Sequence, residues 1–350
     1  MGRSALASWI LLPVTPLAIA CSYVPAPIRP SLPGLPEHVA RAERFLGGGA
    51  PLGRVTEAIV VVVLDGARWQ DVLVGTDASF GSWRGPSDLV SGAVLMPNLH
   101  AMIMRGAVVG SPGGGAPMRA SGPDFISLPG YTEIFSGRTP VRCADNDCPA
   151  TEDATLVDEV RAHGGLAAVF ASWAPIARAA SRSPEGMVVS TGEPETARFR
   201  ADRQTATEAL DYLTRRRPQF LFLGLGEPDE LAHQGDYAGY LDTLRQADVV
   251  LGELEVTLAA MGERGRRTSV FVTCDHGRGT DFRHHGRGWP ESSRVWLVAA
   301  GGAIPARGVV QSRAPQRLRD IAPTIRVLLG LPADGAAEAG APIAELIAPP

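Results

Sequence analysis

Several things the 350-residue chain lacks narrow its class. Basic charge is not in excess: 33 Lys and Arg stand against 37 Asp and Glu, for a net charge of -4. That leaves no basic stripe and excludes nucleic acid as a bulk electrostatic partner. No internal repeat is present, and no linker interrupts the body after residue 50, which argues for one domain rather than an array. The apolar run Ala5 to Ala20 is too short, and too broken by Pro13 and Pro16, to span a membrane comfortably. Cysteine is scarce, at four residues, whereas 40 Gly and 29 Pro make much of the chain loop, the usual setting for active-site surfaces.

Arg3 followed by that apolar run, which closes on Ala18-Ile19-Ala20-Cys21, reads as an export signal over residues 1–21. Small residues before a cysteine resemble a bacterial lipoprotein cleavage site. Cys21 would then carry the lipid and attach the chain to a membrane. Ordinary secretory cleavage competes with that reading, and an uncleaved anchor is a third. Residues 22–52 read as a Pro/Gly-rich linker with a short helix at Pro36 to Phe45, and residues 53–350 as the catalytic domain. The expected location is periplasmic, membrane-anchored or secreted. In such a compartment the close pair Cys143 and Cys148, flanking Ala-Asp-Asn-Asp, is expected as a disulfide rather than a metal site. Cys274, inside an apolar run, is expected as a buried thiol.

Ala58 to Leu64 is a continuous apolar, β-branched run that suits a strand buried on both faces. Further strands are expected at Leu166 to Ala171, Met187 to Ser190, Gln219 to Gly224, Ser269 to Thr273 and Val295 to Ala299. Helices are expected at Pro97 to Gly106, Asp153 to His163, Arg200 to Arg216, Tyr237 to Met261 and Leu318 to Leu329. Strands alternating with helices predict an α/β fold, a three-layer α/β/α sandwich with a mainly parallel central sheet.

Acidic and histidine residues fall where the strands end: Asp65, then Asp229 and His233, then Asp275 and His276, with His284-His285-Gly286 shortly after. Ligands gather at the carboxyl ends of strands in such sheets, and Asp with neutral imidazole suits Zn²⁺. A helical turn would put Asp229 and His233 on one face. Ser127-Leu128-Pro129-Gly130 opens a short apolar helix that Gly137 would end, with Ser127 in the N-cap role. Each piece has a plain structural reading: Asp65-Gly66 a turn, Asp229 a helix cap, His276 a core histidine, His284 and His285 surface residues, Ser127 a cap.

Together these segments resemble the alkaline phosphatase superfamily, in particular its type I phosphodiesterase and nucleotide pyrophosphatase-like members. The resemblance runs from about residue 58 to 345. It is carried by Val62-Val63-Leu64-Asp65-Gly66, Met96-Pro97-Asn98-Leu99, Ser127-Leu128-Pro129-Gly130-Tyr131 and Glu227-Pro228-Asp229 with His233. Val272-Thr273-Cys274-Asp275-His276-Gly277 and Arg319-Asp320-Ile321-Ala322-Pro323-Thr324-Ile325 complete it. The resemblance implies an alkaline phosphatase-like fold and two divalent ions, zinc by preference. Asp229, His233 and His285 would hold one; Asp65, Asp275 and His276 would hold the other together with Ser127. His285 is preferred to His284 because the family places its last ligand in a His-Gly step.

The implied activity is phosphoester hydrolysis on a small phosphorylated substrate, through a Ser127 alkoxide and a covalent phospho-Ser. Departures from the family pattern are Gly130, where diesterase relatives often carry a phosphoryl-binding Asn, and the lack of a Lys-x-Arg clamp near Ser172-Trp173. Tyr131 stands where sulfatases carry Arg. A sulfatase or phosphonate hydrolase on the same scaffold is the alternative, as is a non-catalytic protein that binds phosphorylated ligands. A diester or pyrophosphate-type bond is expected to be preferred to a simple monoester.

Overall fold

The computed structural model describes residues 55–80, 89–183, 185–192 and 199–347. The export signal, Cys21, the linker and the Pro36 to Phe45 helix lie outside them. The strands, in chain order, are β1 (Ala58–Leu64), β2 (Ala107–Val109), β3 (Met118–Arg119), β4 (Ala167–Ala171) and β5 (Val188–Ser190). They continue with β6 (Phe220–Leu225), β7 (Thr268–Thr273), β8 (Arg294–Val295), β9 (Leu297–Gly301) and β10 (Gly308–Val309).

All seven residues of β1 are buried. A strand so apolar has to lie inside a sheet covered on both faces, and β1 pairs in parallel with β6 on one edge and β7 on the other. The eight-stranded sheet runs β10-β2-β9-β7-β1-β6-β4-β5. Only β9 opposes its neighbours, pairing antiparallel with β2 and β7. The helices divide into two layers. Tyr237–Ala260 packs against Pro97–Arg105, Asp202–Arg216 and Glu227–Gln234, while Ser127–Ser136 packs against Leu156–Ala162, Ile176–Ala180 and Ile321–Leu329. Helices thus cover both faces of a mainly parallel sheet, as expected. Register does the rest: Val63 lies opposite both Gly224 and Thr273, so β1, β6 and β7 deliver their following residues to one edge.

Element ends differ from expectation for identifiable reasons. The helix expected from Asp153 begins at Leu156, because the Thr155 side chain accepts from Asp158 N and the Asp158 carboxylate accepts from Thr155 N. The strand expected over Val295 to Ala299 is two. Trp296 breaks it, fully buried with its indole N–H donating to Ala67 O at 3.0 Å, so that β8 pairs with β3 and β9 stays in the main sheet. The last helix starts as a 3₁₀ turn at Leu318–Asp320 and becomes α at Ile321. The two- and three-residue strands β2, β3 and β10 are too short to show a period in sequence.

Candidate active site

Asp65 leaves β1 into a turn that only glycine can follow. Gly66 has φ +60°, and a Cβ there would lie 2.4 Å from Asp229 Oδ1. Its amide donates to Asp275 Oδ1 at 3.1 Å, which ties the end of β1 to the end of β7. The other oxygen of Asp65, Oδ2, accepts from the buried Tyr131 hydroxyl at 2.9 Å.

Asp229 and His233 sit one turn apart on the helix Glu227–Gln234, with His233 Nε2 3.0 Å from Asp229 Oδ2. Asp229 is the third residue of that helix and does not cap it. Asp202 does, accepting from Gly226 N at 2.8 Å and Glu227 N at 3.0 Å. On its other side Asp229 meets Arg278, whose buried guanidinium also donates to the carbonyls of Phe282 and Arg283.

Two imidazoles stack between these groups: the rings of His276 and His285 lie 3.8 Å apart at 17°. His276 Nε2 is 3.5 Å from both Asp65 Oδ1 and Asp275 Oδ2, and 3.9 Å from Asp229 Oδ1. His285 Nε2 is 3.9 Å from Asp229 Oδ1 and 3.0 Å from His233 Nε2. In each ring the outer nitrogen faces a backbone carbonyl, Gly277 O for His276 and Phe125 O for His285, both at 2.9 Å. A carbonyl can only accept, so Nδ1 carries the proton and the Nε2 lone pair faces the centre. Metal-binding imidazoles are oriented by this arrangement. His284 instead turns outward, 61% exposed and bonded to Asp281.

Ser127 stands over this group. It is the first residue of its helix, with Ile126 as the N-cap and no side-chain capping bond, which corrects the expected N-cap role. Relieved of capping, the Ser127 hydroxyl lies 3.2 Å from His276 Nε2 and 3.4 Å from Asp65 Oδ1. Gly130 brings the helix in: a Cβ there would fall 2.3 Å from Asp275 O, so no side chain fits at this position. Gly137 ends the helix in the left-handed region, as expected.

Three carboxylates this close cannot all hold charge easily. Burial, and then the charges of Asp275 and Asp229, push Asp65 well above the carboxylate range. Burial and the charge of Asp229 raise Asp275 to about 7. Burial would raise Asp229 too, but the charge of Arg278 and the hydrogen bond from His233 hold it well below the usual value. Burial first, helped by the charge of Arg278 and opposed by Asp229, pushes His276 and His285 below the usual imidazole range, toward the neutral form. Asp275 Oδ2 is buried with no hydrogen-bond partner.

An orphan carboxylate oxygen among neutral imidazoles is a donor set that fits a divalent cation. Two groups have the spacing of metal ligands: Asp65, Asp275 and His276; and Asp229, His276 and His285. The first coincides with one expected set. In the second, His276 stands where His233 was expected; His233 borders the group through Asp229 and His285, with its side chain 43% exposed. Tyr131, Asp202 and Arg278 were missed in sequence. Arg278 left a trace there, as an arginine directly after Asp275-His276-Gly277, whereas Tyr131 and Asp202 act through tertiary contacts.

Cys143 and Cys148 form a disulfide with Cα atoms 5.2 Å apart, and Cys274 is a buried free thiol. Trp173 is half-buried and stacks on Phe199 at 6.3 Å, which packs in turn over Gly226.

A family description, the Metalloenzyme superfamily, matches residues 159–333, half of the chain. The match includes Asp229, His233, Asp275, His276 and His285, and leaves out Asp65 and Ser127. Two curated relatives are 2,3-bisphosphoglycerate-independent phosphoglycerate mutases. That of a Synechococcus sp. is 27% identical over 142 residues, covering 37% of this chain and 25% of the relative. That of Halobacterium salinarum is 31% identical over 127 residues, covering 35% and 23%. The matched stretch therefore spans about a quarter of these relatives. Among solved structures, the phosphonate monoester hydrolase of Agrobacterium radiobacter superposes with a TM-score of 0.57 at 16% identity, over 83% of this chain and 77% of that one. A 2-O GAG sulfatase superposes with a TM-score of 0.55 at 15% identity, over 83% and 73%. At such identities the likeness is one of fold.

Proposed function

The chain belongs to the Metalloenzyme superfamily, with an alkaline phosphatase-like fold, and from that premise we propose that it hydrolyses phosphoric esters with the Ser127 hydroxyl as nucleophile. The observation that carries the reading is the position of that hydroxyl, first in its helix, uncommitted to capping, and in reach of His276 Nε2 and Asp65 Oδ1.

Asp65, Asp275 and His276 with Ser127 would hold one divalent ion, and Asp229, His233 and His285 the other, with zinc the best match to a carboxylate and imidazole set. When bound, such ions supply Lewis-acid stabilisation to the attacking and leaving oxygens. The chain supplies the rest. Ser127 Oγ forms a bond to phosphorus as the bond to the leaving oxygen breaks, and the hydroxyl proton ends on the departing alcohol. Water then displaces Oγ from the phospho-Ser and restores the hydroxyl. The head of the helix Ser127–Ser136 presents amide dipoles to the anionic ester. Tyr131 fixes Asp65, and the Nδ1 bonds of His276 and His285 hold their lone pairs inward.

The reading extends to a diester or pyrophosphate-type bond in preference to a simple monoester. Arg278 is engaged by Asp229, and Arg287 at the rim by Asp124. The extra negative charge of a monoester dianion therefore meets no uncommitted guanidinium in either of them. Export is part of the proposal, supported by the Cys143–Cys148 disulfide. Sulfate or phosphonate ester hydrolysis is the second reading, favoured by the solved structures that share the fold. Turnover of paired nitrophenyl phosphate mono- and diesters and of nitrophenyl sulfate by zinc-loaded protein tests both. A higher kcat/KM for the diester is expected. Faster sulfate ester turnover would replace the first reading with the second.

A further inference from the structure

We propose that Arg119 and Arg294, opposite each other on β3 and β8, form a subsite for a second anionic group of the substrate, a carboxylate or phosphate on the part that is not under attack. The inference rests on the phosphoester reading above.

The two-stranded sheet puts like charges together. Arg119 pairs with Arg294 across the strands, and on its other side it bridges Arg317. In the adjoining pair Ala120 N donates to Ser293 O at 2.8 Å. Arg119 and Arg294 are therefore a non-hydrogen-bonded pair, the kind that brings side chains closest. Like charges directly opposite each other destabilise a sheet. Arg317 has an acid at hand, since Asp320 Oδ2 accepts from its amide at 2.7 Å. The other two have none. Arg119 donates to the Ser293 hydroxyl at 2.7 Å and Arg294 to Gly110 O at 3.3 Å, and among the described residues neither forms an ion pair. The Arg294 guanidinium lies over the Trp69 ring, 4.0 Å from its centroid, and its Nε is buried with no hydrogen-bond partner. Burial, and then the charge of Arg119, lower Arg294 from the usual guanidinium range.

The pair stands at the catalytic edge of the main sheet. Leu297 of β9 lies opposite Thr273 of β7, so Arg294, ahead of β9, comes out at the edge where β7 delivers Asp275 and His276. Gly277 N donates to Ser292 O at 2.7 Å, which fastens the start of β8 to the residue after His276. Trp69, under Arg294, follows closely on Asp65. From Arg119 the chain runs through Phe125, whose carbonyl holds His285, to Ser127. Arg119 and Arg294 nevertheless make no ion pair with Asp65, Asp229 or Asp275, so they flank the reacting phosphoryl group instead of lying on it. Half-buried and buried arginines elsewhere have carboxylates: Arg138 has Asp334, Arg200 has Glu208 and Arg326 has Glu159. Two guanidinium forks without one suit an oxyanion brought by a ligand.

The probes are three nitrophenyl phosphodiesters whose second alcohol is ethyl, carboxyethyl or phosphoethyl, given to zinc-loaded full-length protein. Wild type should favour each charged ester over the ethyl ester by about 10-fold or more in kcat/KM, the worth of one charge-assisted hydrogen bond. The preference should lie in KM and shrink as salt rises. It should fall toward one in Arg119→Gln and in Arg294→Gln. A merely structural role would lower all three esters alike and leave the ratio. Arg119 is exposed, so Arg119→Gln decides even where Arg294→Gln fails to fold. A preference for only one charged ester identifies the anion as carboxylate or phosphate. Equal use of all three esters by wild type, or a preference kept in folded Arg119→Gln, would overturn the proposal. If no ester is turned over, calorimetric titration of the same three compounds makes the same comparison. A charged-ester advantage in affinity that Arg119→Gln abolishes would then uphold the subsite and remove only the hydrolase reading, and equal affinities would overturn it.

Discussion

The two ends of the helix Ser127–Ser136 both meet buried charge, and they meet it in opposite ways. Near Ser127 three carboxylates, Asp65, Asp229 and Asp275, act on one another through their charges, and Arg278 pairs with Asp229 alone of the three. Beyond Ser136 the charges are matched. Arg326, fully buried, donates to both oxygens of Glu159 and to Ser136 O, each bond at 2.8 or 2.9 Å. Arg138 donates to both oxygens of Asp334 at 2.6 and 2.7 Å and to Asp153 at 2.9 Å. The chain contains no lysine, so each of these pairings uses the two-pronged arginine fork. Cations at the carbonyl end of a helix also complement its dipole. A cluster that closes its own charge is scaffold. One that leaves like charges facing each other, with the orphan oxygen of Asp275 among them, suits a cation from outside.

The sharpest break of that contrast is at the unmatched end. An Asp275→Ala, His276→Ala double variant should lose bound metal and several orders of magnitude of turnover, as when a catalytic unit is removed. Elemental analysis that finds full metal content would contradict the placement of that pair. A smaller effect is pH dependence of metal affinity. Asp275 is raised to about 7 and Asp65 well above its ordinary value, each first by burial and then by neighbouring carboxylates. Raised acids are protonated at the low end of the range and must release protons to bind, so affinity should tighten as pH rises from 6, by at most about tenfold per pH unit per proton released, and the gain due to Asp275 should level off above pH 7. Competition titrations that give one pH-independent affinity would remove the like-charge account. At the matched end, Arg326→Met should cost about 3 kcal/mol of stability by leaving Glu159 unpaired. Its kcat, corrected for the folded fraction in a denaturant titration, should stay within about twofold of wild type.

The same contrast decides what could be read in advance. Asp65 is the first polar residue after an unbroken apolar strand, and Asp229 and Asp275 lie within four residues of the ends of β6 and β7, so the sheet carries all three to one edge by its register. His285 differs from His284 in sequence only by the glycine after it, and the fold turns the one inward and the other to solvent. Tyr131 and Asp202 carry no local signal, because each acts on a residue far along the chain: Tyr131 on Asp65, and Asp202 on the amides of Gly226 and Glu227. The Ser127 cap was misread for a physical reason. Serine before an apolar run is a fair cap signal, but the chain enters the helix through an extended Ile126, which moves Ser127 one place inward and points its hydroxyl at the carboxylates.

That displacement makes Ser127 the direct test. Turnover by Ser127→Ala and Ser127→Thr should be measured on zinc-loaded protein, with metal content and unfolding midpoint recorded for each. Ser127→Ala should lose several orders of magnitude in kcat. Its stability should stay within about 0.5 kcal/mol, since the hydroxyl caps nothing. Ser127→Thr, which presents the same hydroxyl, should keep substantial activity. An active Ser127→Ala enzyme with both metals bound would contradict the assignment of the nucleophile.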